Sequence, residues 1–409
     1  MTNTLKTYNN QQIIDLYSPL IDPESLEFLD QAVSQIVKAK LKGGKVVVAT
    51  GSGPNLHEGV TTLIAELMDK GVIDGVTTSS AVVAHEMAGT LDRVKRLDGR
   101  QLGFDASTLP KGFTFEFTEL PAEELAELHH EMDIDDSLLA RGSELEGTTI
   151  IKAAGNMAYP MGLRTERMAR EILSLSHAYG LPFETVAGWG ADPCTMIGAG
   201  ARRGLPVLVS VPQLIGGGGV GLCLADSISI TERSMRIAEM LGSADVIIES
   251  AVVLTQEIHD GPYEVYTGHG IWATWDGYKT YSLQGKSLVR IDLDPNLKRA
   301  WQTERQSQSV QEAIDQGLPK TKLTGIPFRM EMSGFSRLEG SLPVIGDIGV
   351  VWPVLASKVA EALGIKLDFI SHPQQTPDGK AMRDWIVDTV RPIRRDLLLK
   401  TSRNYRRAH

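Results

Sequence analysis

The sequence predicts an α/β protein with a doubly wound, mainly parallel sheet, and three observations carry that prediction. Short β-branched apolar runs recur along the chain: KVVVATG (45–51), LPVLVSVP (205–212), ADVIIESAVV (244–253) and SLVRIDLDP (287–295). Between them lie stretches of 10–18 residues whose apolar positions repeat at helical spacing, the alternation of a parallel sheet covered on both faces. A glycine-rich turn, Gly51-Ser52-Gly53-Pro54-Asn55, leaves the first run and opens a helix.

Each element follows in order. Residues 22–41 predict a helix, with Asp22 as cap, Pro23 in the first turn and Leu26, Leu29, Val33, Ile36 and Val37 on one face. The first strand, the helix NLHEGVTTLIAELMDKG, the strand VIDGVTT and the helix start SAVVAHEM then form a βαβ unit. The alternation breaks at 91–149, an acidic insertion read as partly helical. Its His129-His130 pair lies among carboxylates, but adjacent histidines point different ways on a helix, so a solvated acidic helix is expected rather than a metal site. Beyond it come the helix TERMAREILSLSHAYG, a strand at LPFETVAG, a short helix stopped by Gly204 and a single helix over LADSISITERSMRIAEMLGS. The expected organisation is a helical segment 1–45, an α/β domain over 46–90 and 150–315, and a C-terminal extension 316–409. The extension holds one amphipathic helix, VVWPVLASKVAEALG, and a basic tail.

Composition narrows the function. Hydrophobic residues make up 42% and charged residues 22%, enough for a large core. A net charge of −10 argues against nucleic acid or an anionic membrane as partner. Two cysteines, Cys194 and Cys223, exclude a disulfide framework and suit a reducing compartment. The polar N-terminus lacks a signal-peptide core and no long apolar run appears, so a cytoplasmic protein is expected.

In doubly wound sheets ligands meet the carboxyl ends of the strands, and glycines there let backbone approach a pyrophosphate. Gly51, Ser52, Gly53 and Asn55 stand at such a point, although Leu56 occupies the place of a third glycine. Plain turn geometry is the alternative. Asp292 and Asp294, at the end of a late strand, are candidates for an adenosine ribose; Asp294-Pro295 equally suits a helix start.

Together, residues 46–87 and VRIDLDPNL resemble the deoxyhypusine synthase-like NAD-binding superfamily, and within it the NAD-dependent ornithine cyclodeaminase domain of archaea and cyanobacteria. IDGVTTSSAVVAHEMA (73–88) and CTMIGAGARRGLPVLVSVP (194–212) carry the likeness, which covers about 46–90 and 150–315. The resemblance implies bound NAD and a small-molecule amine or amino acid as substrate. The implied reaction abstracts a hydride transiently from an amine-bearing carbon, forms an imine and returns the hydride. It further implies His85 and Glu86 as proton handlers, with Ser79, Ser80, Gly217 and Gly218 beside the cofactor and a homo-oligomeric assembly. Glu257, His259 and Lys279 are further catalytic candidates. Asn156, Arg164, Asp260 and His269 are candidates for substrate binding. A dehydrogenase with net hydride transfer, or a non-catalytic NAD- or FAD-binding subunit, stays open beside this reading.

Overall fold

Six apolar runs pair into one parallel sheet: β1 (Val46–Thr50), β2 (Gly75–Thr78), β6 (Val207–Val209), β7 (Val246–Ser250), β8 (Ser287–Asp292) and β9 (Ser341–Ile345). The computed structural model describes residues 5–51, 53–155, 157–250, 280–292, 296, 299, 302–303, 306–318, 325–326 and 340–408. Spatial order is β6-β2-β1-β7-β8-β9, every neighbouring pair parallel. Counted by chain order within this sheet, that is 3-2-1-4-5-6, the doubly wound order of dinucleotide-binding folds. The order reverses between β1 and β7.

Buried strands on both faces explain the near-continuous apolar runs. Val46 and Val48 of β1 join the larger core, beneath α1 (Asn10–Tyr17), α2 (Pro23–Leu41), α4 (Val60–Asp69), α5 (Ser80–Met87) and a late helix, Ile348–Leu363. Val47 and Ala49 point the other way, toward Ile237, Ala238 and Leu241 of a helix at Ile230–Gly242. A single turn, α3 (Pro54–His57), separates β1 from α4.

The insertion departs from expectation. It forms its own antiparallel sheet, order β4-β3-β5, from β3 (Leu91–Asp98), β4 (Thr114–Thr118) and β5 (Thr148–Ala153). With α6 (Ala122–Glu131) and α7 (Asp136–Glu144) it encloses a small core of Leu97, Leu102, Phe117, Leu138 and Leu139. Its strands alternate with Arg93, Lys95 and Arg96, so no continuous apolar run announces them.

The remaining helices are α8 (Met161–Tyr179), α9 (Phe183–Gly188), α10 (Met196–Arg203), α11 (Gly219–Ser227), α12 (Ile230–Gly242), α13 (Gln308–Asp315), α14 (Ile348–Leu363), α15 (Pro377–Thr389) and α16 (Arg395–Ala408). Two expectations are corrected here. LPFETVAG is helix, not strand: Pro182 precedes its first turn and Phe183, Val186 and Ala187 bury one helical face. The single helix expected over 224–243 is two, because the Ser229 hydroxyl accepts the Glu232 N–H at 3.1 Å and starts α12 afresh. Asp74 sits just before β2 and is held by Lys40 Nζ at 2.7 Å and the Val46 N–H at 2.8 Å. α16 is docked through buried Leu398 and a Tyr179–Ser402 hydroxyl contact. Among the described residues no helix is long and apolar enough to cross a membrane.

The edge strand β6 is secured by a fully buried ion pair. Glu184 of α9 accepts the Val209 N–H at 2.6 Å and pairs with Arg233 of α12, and both side chains are 0% exposed. Arg233 also donates to the carbonyls of Val209 and Leu224 at 3.2 and 3.1 Å. Removing one partner strands a buried charge, so Glu184→Gln or Arg233→Met is expected to cost about 3–5 kcal/mol in urea unfolding. A loss below about 1 kcal/mol would contradict the pairing.

Candidate active site

The sheet reverses order at the carboxyl ends of β1 and β7, and a closed polar network fills the first layer there. Asn55 Nδ2 donates to the carbonyls of Ser250 at 3.1 Å and Gly51 at 3.4 Å. Ser250 Oγ donates to Asn55 Oδ1 at 2.7 Å and accepts Trp352 Nε1–H at 2.8 Å. All three side chains are buried, so Asn55 clasps the ends of the two strands. Above the clasp, Gly53 has φ +64° and ψ −98°, a conformation that side-chain-bearing residues rarely adopt, and a Cβ there would meet nothing within 4 Å. The turn therefore needs glycine for its backbone, and among the described residues nothing covers its outer side.

One turn beyond Gly53, whose carbonyl accepts the His57 N–H at 3.1 Å, four basic side chains converge. His57 comes from the end of α3, His85 from the last turn of α5, Lys152 from β5 and Arg383 from α15. Arg383 Nη2 donates to the Ile151 carbonyl and, at 3.4 Å, to His57 Nδ1. His85 Nδ1 sits 2.7 Å from the Ala154 carbonyl. Lys152 Nζ pairs with Glu116 at 2.7 Å. Burial, Arg383, His85 and Lys152 all hold His57 below the usual imidazole range, and burial depresses His85 as well. Burial also lowers Arg383, whose guanidinium has no carboxylate within ion-pair distance among the described residues.

The residues singled out from sequence fall into three groups. His85 stands in this basic cluster, and Gly51 and Gly53 in the turn beside it. Several others are bound up within the chain. The Ser79 hydroxyl caps α5 through Val82 N–H at 3.2 Å. Ser80 Oγ donates to the Gln213 carbonyl at 2.8 Å and accepts the Gly217 N–H at 2.9 Å. A Cβ on Gly217 would lie 2.7 Å from the Ser80 carbonyl oxygen, so glycine is required there by close approach. Gly218, at φ +62°, continues that turn. Glu86 points into the core, where its carboxylate accepts the Met196 and Ile197 N–H groups at 2.8 and 3.1 Å and anchors α10. Arg164 is clamped by Glu131 at 2.6 Å and by the Ile393 carbonyl at 2.8 Å. Asp292 ends β8 in the backbone. The third group, Ser52, Asn156, Glu257, His259, Asp260, His269, Lys279 and Asp294, lies outside the described residues.

His57, Lys152 and Arg383 escaped the sequence reading. His57 had a usable signal, standing four residues past Gly53 at a strand's carboxyl end. Arg383 had none, being 326 residues from its partner.

No family model matches the chain, and no curated protein matches it. Solved structures that resemble it include apo ArgZ, an arginine dihydrolase from the ornithine–ammonia cycle in cyanobacteria, at 13% identity and a TM-score of 0.39. A ternary complex of AgrE with ornithine and NAD+ aligns at 12% identity and 0.38, and a conserved putative LOR/SDH protein from Methanococcus maripaludis S2 at 10% and 0.37. These alignments cover 83%, 83% and 89% of this chain, and 32%, 34% and 73% of those. The chain thus spans about a third of the length of ArgZ and AgrE. Likeness of this depth does not say which residues bind or react.

Two buried carboxyls beside the site make stability depend on pH. Burial pushes Glu86 and Asp92 each up to about 7, against the backbone N–H groups that they accept. Between the ordinary carboxylate range and about pH 7 the folded chain therefore binds more protons than the unfolded one, and stability falls as pH rises through that window. Glu86 alone contributes on the order of 3 kcal/mol. Half-buried His57 and His85, held low, act in the opposite sense below about pH 6.5, so a difference measurement is needed. Between about pH 4 and about pH 8, Glu86→Gln is expected to gain on the order of 3 kcal/mol relative to the parent chain in denaturant titrations. A gap that does not change with pH would show that Glu86 carries no proton in the folded state.

Proposed function

We propose that the chain is an NAD-dependent enzyme acting on an amino acid, by transient oxidation of its amine-bearing carbon to the imine level and return of the hydride. The observation that carries this reading is the 3-2-1-4-5-6 strand order with an open glycine turn at its switch point. The fit to a dinucleotide is specific in one respect and unusual in another. Gly53 leaves backbone accessible beside the crevice, as a pyrophosphate requires. β2, however, ends in Thr77 and Thr78, and Ser79 follows, with no acid for the ribose; Asp292, the last residue of β8, is the candidate for that role.

NAD, when bound, supplies a reversible hydride acceptor. The protein's own part is to hold the amine, remove its proton and bind the rest of the substrate. His85 is the proton acceptor in this reading, since its Nδ1–H is committed to a carbonyl and Nε2 keeps its lone pair. Arg383, half-buried and without a carboxylate partner among the described residues, favours a substrate bearing a carboxylate and disfavours a polyamine.

Two measurements test this. NAD is expected to bind the purified chain in calorimetry, with Gly53→Val weakening it about tenfold or more through strain at positive φ. An amino acid deuterated at its amine-bearing carbon is expected to give a product that retains the label, without accumulation of NADH. Steady NADH production would favour a dehydrogenase instead. No dinucleotide binding would overturn the proposal.

A further inference from the structure

His57 and His85 are held by partners of opposite character, and that fixes what each can do. Arg383 has only N–H donors, so the His57 nitrogen that faces it, Nδ1, must carry the lone pair. A neutral His57 ring therefore bears its proton on Nε2. The Ala154 carbonyl can only accept, so His85 Nδ1 carries the proton and Nε2 the lone pair. Neither Nε2 has a partner among the described residues, and neither is a sealed, unsatisfied atom. The two rings lie close enough for their charges to oppose each other.

We infer that His57 and His85 form a matched pair on one substrate, His57 a neutral Nε2–H donor and His85 an Nε2 acceptor. His57 would bind a heteroatom on which negative charge develops, without giving up its proton, since losing it would leave an imidazolate. His85 would take the proton of an N–H or O–H group: that bond breaks, the Nε2–H bond forms and the ring becomes an imidazolium. Neutral histidine acting as a hydrogen-bond donor is an established way to polarise a reacting group. Arg383 is a positioning residue here: through Nη2 it fixes the His57 tautomer, and its charge opposes protonation of that ring. The groups facing His57 are Arg383, His85 and Lys152; Lys152 also faces His85. All are bases, so nothing among them favours a second proton on either ring.

The pair deepens the proposed function and rests on it for its chemistry, but the tautomers can be read without turnover. Long-range proton–nitrogen spectra of the full chain, nitrogen-15 labelled, report which ring nitrogen is protonated in each of the nine histidines. His57→Gln and His85→Gln assign the two signals by their disappearance. The expected spectrum at neutral pH shows His57 as Nε2–H and His85 as Nδ1–H. Arg383→Met is expected to return His57 to mixed tautomers and to raise its titration toward the ordinary imidazole range, burial, His85 and Lys152 still holding it below that range, with His85 unchanged.

In the active enzyme, His85→Gln should lower kcat about 100-fold or more and abolish the acid limb of the pH profile. His57→Gln should lower kcat and leave that limb in place. The same tautomer on both rings, or a His57 signal indifferent to Arg383→Met, overturns the inference even in an active, NAD-binding chain. Opposite tautomers in a chain that binds no dinucleotide would sink the proposed reaction and leave the pair standing.

Discussion

The geometry of the site depends on one buried side-chain amide. At the point where strand order reverses, the Gly51 and Ser250 carbonyls lie at the ends of β1 and β7, and the Gly51 N–H reaches the Ser250 carbonyl only at 3.4 Å. Asn55 meets both with one nitrogen, while its oxygen takes the Ser250 hydroxyl, which in turn accepts from Trp352. Every polar atom in that chain of contacts is used. A partly satisfied network in the same place would cost more than an apolar one. Because the clasp is complete, the turn above it can spend its glycine on an open, strained backbone rather than on holding the strands.

The buried charges divide by whether they have been neutralised. Glu184 and Arg233 neutralise each other and tie down the edge strand. Among the described residues Glu86 has no cation in contact; it is held by two backbone N–H groups, and burial prevails over them in setting its proton affinity. Arg383 is the contrasting case, a half-buried guanidinium whose hydrogen bonds go to a carbonyl and an imidazole. Arg383 and the two depressed histidines stand beside the glycine turn, where perturbed groups have chemical use.

Five of the six strands of the parallel sheet were legible because strands buried on both faces must be apolar throughout, and the helices between them carry a clear period. β1, β2, α4, α5 and the Gly204 stop all follow from that logic. β9, the half-buried edge strand Ser341–Ile345 with Pro343 in it, lay in a segment read as turn-rich. The insertion was not legible as sheet, since an antiparallel strand such as Leu91–Asp98 places Arg93 and Arg96 between its apolar residues. α9 misled for a related reason: six residues are too few for helical period to outweigh β-branched composition. For the site, local signals sufficed for Gly51, Gly53 and His85. Glu86 adjoins His85 in sequence yet meets α10 while His85 meets the Ala154 carbonyl, a distinction that spacing alone does not draw. Arg383 enters through packing of α15 against the insertion, which no local pattern encodes.

The insertion leaves and rejoins the chain at adjacent points, for Leu91 and Ala153 are cross-strand partners and Ala154 N–H donates to the Thr90 carbonyl at 3.0 Å. Its root and its crown consequently have different freedoms. The root supplies the Ile151 and Ala154 carbonyls and Lys152 to the basic cluster, so its course is bound to the chemistry. The crown has its separate small core, and besides the two strands joined at the base it is held to the main body by Glu131 and Glu124, which pair with Arg164 and Arg391. Changes confined to the crown's far end, away from these contacts, therefore leave both ends of the insertion where the root pairing fixes them.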